Sequence, residues 1–252
     1  MNHAPYFREG TGANAVLLIH GIAGSPAHFR DLIPVIPESF SVYNILLDGH
    51  SGAVENLSRS SMAKWKAQVA DTLRDLFARH EKVVIAAHSM GTLFAIQAAM
   101  DHPHRIPRLF LLNIPTRPWV RPSTWYTCLR VAFGKLDRPA DQAMRGETAL
   151  ELTPKLWKYI GWTPRMIELL AECRRVRKIL PSLTVPTRAF QSRIDELVSF
   201  RSCRDLKDLS PIRLAVLETS GHFVYSASDT AFLRQQLQNI LAEVEAENEK
   251  AL

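Results

Sequence analysis

Residues 82–101 confine the fold of this chain more than any other stretch. The apolar run Lys82-Val83-Val84-Ile85-Ala86 leads into the pentapeptide Ala87-His88-Ser89-Met90-Gly91, and a helix-like segment, Thr92 to Met100, follows at once. A strand, a tight turn with a central serine and a helix in immediate succession push the serine out of a sheet and aim it at a helix N-terminus. An adjacent backbone N–H and the positive end of the helix dipole are then placed to stabilise an oxyanion. The first position of such a turn packs closely and takes a small residue; here it is Ala87.

The alternation continues along the sequence. Continuous Val/Ile/Leu runs near 15–19, 41–47, 82–87, 108–113, 184–190 and 212–218 have the composition of strands buried on both faces. Helical segments lie near 27–35, 62–80, 90–101, 197–207 and 228–247. The last carries Phe232, Leu233, Leu237, Ile240, Leu241 and Val244 at a helical period, then a polar tail from Glu243 to Lys250 that reads as a frayed end. Strand and helix in turn specify an α/β fold, a parallel sheet covered on both sides. The short N-terminus leaves little room for strands ahead of the run at 15–19, so about six core strands are expected. With 252 residues, 46% hydrophobic and 22% charged, the chain suits one large soluble domain with an insertion.

Two further pieces suit acyl-transfer chemistry. Val16-Leu17-Leu18-Ile19 runs into His20-Gly21-Ile22-Ala23-Gly24, where Gly21 lets the backbone turn so that the Ile22 N–H points at a substrate oxygen. The Met90 N–H is the second such donor. Late in the chain, Asp195 follows the strand-like run ending at Phe190, and His222 follows the run ending at Glu218. Ser89, Asp195 and His222 thus occur in the chain order nucleophile, acid, base. Glu196 is the rival for the acid.

This set of features resembles the α/β-hydrolase superfamily over nearly the whole length, and within it the bacterial carboxylesterases and monoacylglycerol lipases. The resemblance rests on the elbow, the His20 to Gly24 loop, the strand ending in Leu46-Leu47-Asp48-Gly49-His50, and Trp65 in the helix that follows. It implies the α/β-hydrolase fold, with a helical cap inserted between the fourth and fifth core strands. It also implies Ser89 as nucleophile, His222 as base and Asp195 as orienting acid, with the Ile22 and Met90 N–H groups as oxyanion hole. The implied activity is hydrolysis of carboxylic esters with short- to medium-chain acyl groups, or of a monoacylglycerol, with no metal or organic cofactor. Thioesters, amides and carbon–carbon bonds remain open on the same triad, as does an inactive binding protein on the same fold. His20 is expected to bond loop backbone, His88 to pack or to touch substrate, and Asp48 and His50 to fix the loop after the second strand.

About 70 residues without a strand-like run separate Asn113 from Thr184. The division expected is a core of residues 1–113 and 182–252 with a cap at 114–181. Helical periods appear within the cap at Trp125, Leu129 and Phe133, and at Ile167, Leu170, Cys173 and Arg177. The segment holds 13 basic and six acidic residues, a net of +7; the whole chain is +6, so the remainder sums to −1. Six Trp and Tyr side chains are interleaved with that charge. They fit a solvated lid whose aromatics, Trp125 and Phe133 among them, line an acyl pocket together with His88. They also fit peripheral contact with an anionic membrane surface. No nucleic-acid recognition module accompanies the charge.

No apolar run is long enough for a transmembrane helix, and the first nine residues hold no apolar signal-peptide core. Cys128, Cys173 and Cys203 are scattered and odd in number, as in a cytoplasmic protein with reduced thiols. No Cys/His spacing suits zinc, and oligomeric state has no sequence signal.

Overall fold

Each apolar run divides its side chains between two faces of one sheet. In the computed structural model, which describes residues 3–249, strand β2 (Asn14–Ile19) sends Ala15, Leu17 and Ile19 to one side and Val16 and Leu18 to the other. β5 (Lys82–His88) and β6 (Leu109–Leu112) divide in the same way. A strand covered on both faces has no position for a polar side chain, which is why these runs are apolar throughout. Burial of each such Val, Leu or Ile contributes roughly 1.5–3 kcal/mol.

The remaining strands of the sheet are β1 (Tyr6–Arg8), β3 (Phe40–Ile45), β8 (Thr187–Ser192) and β9 (Ile212–Leu217), and their order is β1-β3-β2-β5-β6-β8-β9. All neighbours are parallel except β1, which runs antiparallel to β3 with Tyr6 opposite Asn44. Among the described residues the sheet therefore has seven strands where about six were expected. The additional one is a three-residue edge strand with Tyr6 and Phe7 facing water, so it leaves no buried apolar run to detect.

One face is covered by α2 (Met62–Phe77), α3 (Met90–Asp101) and α6 (Trp162–Ile179), the other by α7 (Ala227–Glu249). Ser61 caps α2 by accepting the Lys64 N–H. Its buried stripe, Met62, Trp65, Val69, Leu73 and Leu76, follows the helical period. α7 stays helical through Glu249 instead of fraying at Glu243. Val244 is buried there, and Arg108 and Arg188, at and within neighbouring strands, pair with Glu243 and Glu247. Residues beyond Glu249 lie outside the described ones.

Two expected helices take another form. Residues 27–35 form two 3-10 turns, Pro26–Phe29 and Ile33–Val35, with Pro26 first in one and Pro34 second in the other, each unable to donate to a preceding turn. In place of a helix over 197–207 there is a 3-10 segment at Phe200–Asp205. The N–H groups of Leu197 and Val198 are taken by the Asp195 carboxylate, and the Ser199 N–H goes to the Arg117 carbonyl, so none is left for a helical turn.

Between β6 and β8 the chain forms α4 (Pro122–Ala132), α5 (Pro139–Glu147), the strand β7 (Ala149–Glu151), a 3-10 turn at Leu156–Tyr159, and α6. This insertion is not wholly helical. β7 pairs in parallel with β4 (Ser51–Ala53), just ahead of the short helix α1 (Glu55–Arg59). The period at Trp125, Leu129 and Phe133 does form a helix, but that stripe faces solvent. Thr124, Thr127, Val131 and Ala132 are the buried side of α4. Among the described residues no helix is long and apolar enough to cross a membrane.

Candidate active site

Ser89 stands between β5 and α3 at φ 50° and ψ −121°, a conformation that side-chain-bearing residues seldom adopt. The surrounding backbone enforces it. The Ser89 N–H donates to Leu112 O at 2.9 Å, and Thr92 donates to Ser89 O from its N–H at 3.0 Å and from its hydroxyl at 2.6 Å. The end of β2 crosses directly over the turn. A Cβ on Gly91 would lie 2.2 Å from Ile19 O, and one on Gly21 would lie 2.9 Å from Ser89 Cβ. Gly21 is therefore required for space; the positive φ in that loop belongs to Ala23, at 53°.

The two expected oxyanion donors flank this turn. Met90 is the first residue of α3, a position whose N–H has no intrahelical acceptor. Ile22 lies in the loop closed by the Gly24 N–H bond to Gly21 O at 3.1 Å, and among the described residues its own N–H meets no protein acceptor. His20 holds the same loop. Its Nε2 accepts the Leu47 N–H at 3.0 Å, which leaves Nδ1–H to donate to Gly21 O at 2.8 Å. Burial keeps His20 neutral, its pKa well below the usual value, and lowers that of His50 to about 4. Asp48 O accepts from Trp65 Nε1 at 2.8 Å and pairs with His50 Nδ1 at 3.0 Å, fixing the loop after β3.

Asp195 lies three residues beyond β8, and His222 lies in the loop after β9. Both are buried. His222 Nδ1 and Asp195 Oδ2 are 2.8 Å apart, while Asp195 Oδ1 accepts the N–H groups of Leu197 and Val198 at 2.7 Å each. Glu196 has a different partner, the backbone N–H of His222 at 2.5 Å. The His222 ring centroid is 4.6 Å from that of His88, the residue before Ser89. His88 is itself buried and stacks on His28 at 3.7 Å and 19°. Burial, then the neighbouring His28 and His222, hold its pKa well below normal.

A cleft of about 440 Å³ opens beside Asp195, lined by Trp119, Arg121, Val198, Phe200, Arg201 and Arg204 among others. The expected substrate contacts Trp125, Phe133 and His88 are not part of its wall; Trp125 and Phe133 are 63% and 60% exposed. The three thiols are unpaired and shifted away from reactivity. Burial raises Cys128 and Cys203, and burial with the neighbouring Glu172 pushes Cys173 up to about 12. Sequence patterns gave no sign of Glu147. Its carboxylate meets His28 Nδ1 at 2.7 Å across 119 positions of chain.

The sequence model of the alpha/beta hydrolase fold family matches residues 14–173, and the chain belongs to that family. A thermostable monoacylglycerol lipase of Bacillus sp. (strain H-257) is 29% identical over 100 residues, 39% of this chain and 40% of the lipase. A putative carbamate hydrolase, RutD, of Variovorax paradoxus (strain S110) is 24% identical over 92% of this chain and 93% of its own. The chain spans only 28% and 40% of the length of the first two curated relatives it matches. Among solved structures, one described under two metagenome-derived lipolytic enzymes, LipS and LipT, superposes with a TM-score of 0.74 at 21% identity, covering 96% of this chain and 98% of that one. That likeness is one of fold.

Proposed function

We propose that this protein is a serine hydrolase of carboxylic esters with short- to medium-chain acyl groups. The observation that carries the proposal is the 2.8 Å contact between His222 Nδ1 and Asp195 Oδ2, in a chain whose Ser89 occupies a strained strand-to-helix turn. With Nδ1–H donated to Asp195, the Nε2 lone pair of His222 is free to take the Ser89 hydroxyl proton as the oxygen attacks the ester carbonyl. The carbonyl oxygen becomes an oxyanion between the Ile22 and Met90 N–H groups, where one donor is worth roughly 10²–10³ in turnover. The proton passes to the leaving alcohol, and the acyl-Ser89 ester is then hydrolysed by water activated by the same histidine. No metal or organic cofactor enters this scheme.

The insertion over 114–181 serves as the cap. Trp125, Leu129 and Phe133 present apolar area on the outside of α4, beside the exposed Arg121 and Lys135. We infer that this face meets an anionic lipid surface from which an apolar substrate is delivered. Three unpaired thiols fit a cytoplasmic setting.

The relative matched over most of its length, a putative carbamate hydrolase, favours one second reading, attack on an acyl carbon bonded to nitrogen. Hydrolysis of p-nitrophenyl esters from acetate to laurate, beside a p-nitroanilide and a carbamate, by wild type and Ser89→Ala tests both. Ester turnover that needs Ser89 is expected, with a chain-length optimum that sizes the pocket. Turnover of the C–N substrates alone selects the second reading, and full activity in Ser89→Ala removes the mechanism.

A further inference from the structure

Against His88, the residue before Ser89, lies a second buried carboxylate–histidine pair for which the proposed mechanism has no use. Glu147 is the last residue of α5, inside the insertion. Its carboxylate meets His28 Nδ1 at 2.7 Å, and the two side chains are only 7% and 3% exposed. Its backbone carbonyl accepts the Ser25 hydroxyl at 3.0 Å, and Arg30 lies 3.7 Å from its other carboxylate oxygen. One residue of the insertion therefore grips three positions of the 25–30 segment, which continues directly from the loop that carries Ile22.

His28 passes this grip onward. With Nδ1–H donated to Glu147, its Nε2 faces the Tyr225 hydroxyl at 3.3 Å, three residues beyond His222. Burial and the carboxylates of Asp195, Glu147 and Glu196 hold the Tyr225 pKa well above normal, so the hydroxyl keeps its proton to donate. The flat face of His28 stacks on His88, and His88 packs against the His222 ring. A buried aromatic stack of this kind allows a ring little freedom to tilt, because any rotation opens unfilled space.

We propose that Glu147 is a positioning residue: by holding His28 and Ser25 it fixes the tilt of His222 and the loop of Ile22, so that catalysis requires α5 to be docked. The proposal rests on the serine-hydrolase reading for its kinetic consequence, though not for its structural one. Misplacement of a reacting group by about 1 Å costs on the order of 10² in rate. Loss of the Glu147 contact therefore lowers kcat and leaves KM nearly unchanged, because the contact acts on the reacting imidazole and touches no substrate.

The test compares Glu147→Ala, Glu147→Gln and His28→Phe by p-nitrophenyl butyrate kinetics and by proton NMR of the low-field Nδ1–H signals, assigned with His28→Phe and His222→Gln. Glu147→Gln keeps an acceptor for His28; His28→Phe keeps the stack but loses the bond. The expected result is a kcat lowered about tenfold or more in Glu147→Ala and His28→Phe, KM within about twofold, and recovery to within about threefold in Glu147→Gln. The His222 signal should shift or broaden in the first two and persist in the third. The combined Glu147→Ala/His28→Phe variant should be no worse than either alone, because both act along one line of contacts. An unchanged His222 signal in Glu147→Ala, or in His28→Phe should the former fail to fold, overturns the proposal. So does a loss seen in KM alone. Absence of Ser89-dependent turnover in wild type sinks the hydrolase reading instead, and the NMR signal still decides the coupling.

Discussion

Glu196 accepts the backbone N–H of His222 at 2.5 Å, while its neighbour Asp195 meets the ring of the same histidine. Adjacent carboxylates thus divide two tasks: one anchors the loop, the other orients the imidazole. The Glu196 carboxylate also lies where a Cβ on Gly221 would be, at 2.7 Å, which ties the loop to a glycine at that point. Asp195→Asn is expected to lower kcat by about 10⁴ with little change in stability, because the amide favours the wrong tautomer. Glu196→Ala removes a charge-assisted bond of about 1.5–3 kcal/mol and should lower Tm by roughly 3–10 °C, with kcat far less affected. Thermal melts and ester kinetics on both variants decide it. Equal kcat losses would mean that the two acids share the orienting role.

Two glycines separate crowding from backbone strain. Gly91→Ala drives a methyl group against the Ile19 carbonyl, where only 2.2 Å is available, and neither β2 nor α3 can yield because both are buried. A loss of roughly 3 kcal/mol or more is expected. Gly134, at φ 73° with nothing within 4 Å of a new Cβ, meets only the left-handed penalty of about 1–2 kcal/mol in Gly134→Ala. Urea midpoints would rank the two; a Gly134 variant as damaged as the Gly91 variant would contradict this account.

The parts of the fold and site that were legible in the sequence are those with a local cause. Ser89 is marked by its own flanking strand and helix, and Asp195 and His222 by the strands that end just before them. Ala15 to Ile19 is apolar because both faces of the sheet are covered. Where the cause is tertiary, the pattern was silent or ambiguous. The period of Trp125, Leu129 and Phe133 specifies a helix, but which side of that helix meets the core depends on elements far away in the chain. Tyr6–Arg8 is an edge strand because β3 offers an unpaired edge, which its own composition does not reveal. The pairing of Glu147 with His28 spans 119 positions, and neither residue stands in a local motif. Spacing from the end of the preceding strand favoured Asp195 over Glu196, and their different partners, a ring nitrogen and a backbone N–H, add a tertiary distinction that spacing does not carry.

Buried neutral histidines set the acid limit of stability. The folded-state pKa of His50 is about 4, against about 6.5 in an unfolded chain. As pH falls below about 6.5, the unfolded chain binds a proton that the folded chain refuses, so stability falls until pH approaches 4. His20 and His88 are lowered in the same direction by burial and steepen the decline. Each fully contributing histidine adds a slope of up to about 1.4 kcal/mol per pH unit. His50→Gln removes one of them. Urea midpoints measured from pH 7.5 to pH 5 should fall less steeply in this variant than in wild type; parallel curves would show that His50 does not titrate as its burial requires.

The outer face of α4 yields the last prediction. A helix normally hides its large apolar side chains, and α4 buries Thr124, Thr127, Val131 and Ala132 while the larger Trp125, Tyr126, Leu129 and Phe133 meet water. Such a stripe gains about 25 cal/mol for each Å² removed from water, and each Lys or Arg held near an anionic bilayer adds about 1 kcal/mol. Arg130 and Arg138 are engaged by Asp137 and Asp141, which leaves Arg121 and Lys135 as the exposed cations at the two ends of the stripe. Wild type should co-sediment with phosphatidylglycerol vesicles more strongly than with phosphatidylcholine vesicles, and 0.5 M salt, on the order of a 4 Å screening length, should narrow that difference. Trp125→Ser combined with Phe133→Ser should weaken binding about tenfold or more with Tm unchanged, because both side chains already lie in solvent. Undiminished binding in that variant would exclude α4 as the lipid-facing surface, and equal binding to both vesicle types would remove the cations from the account.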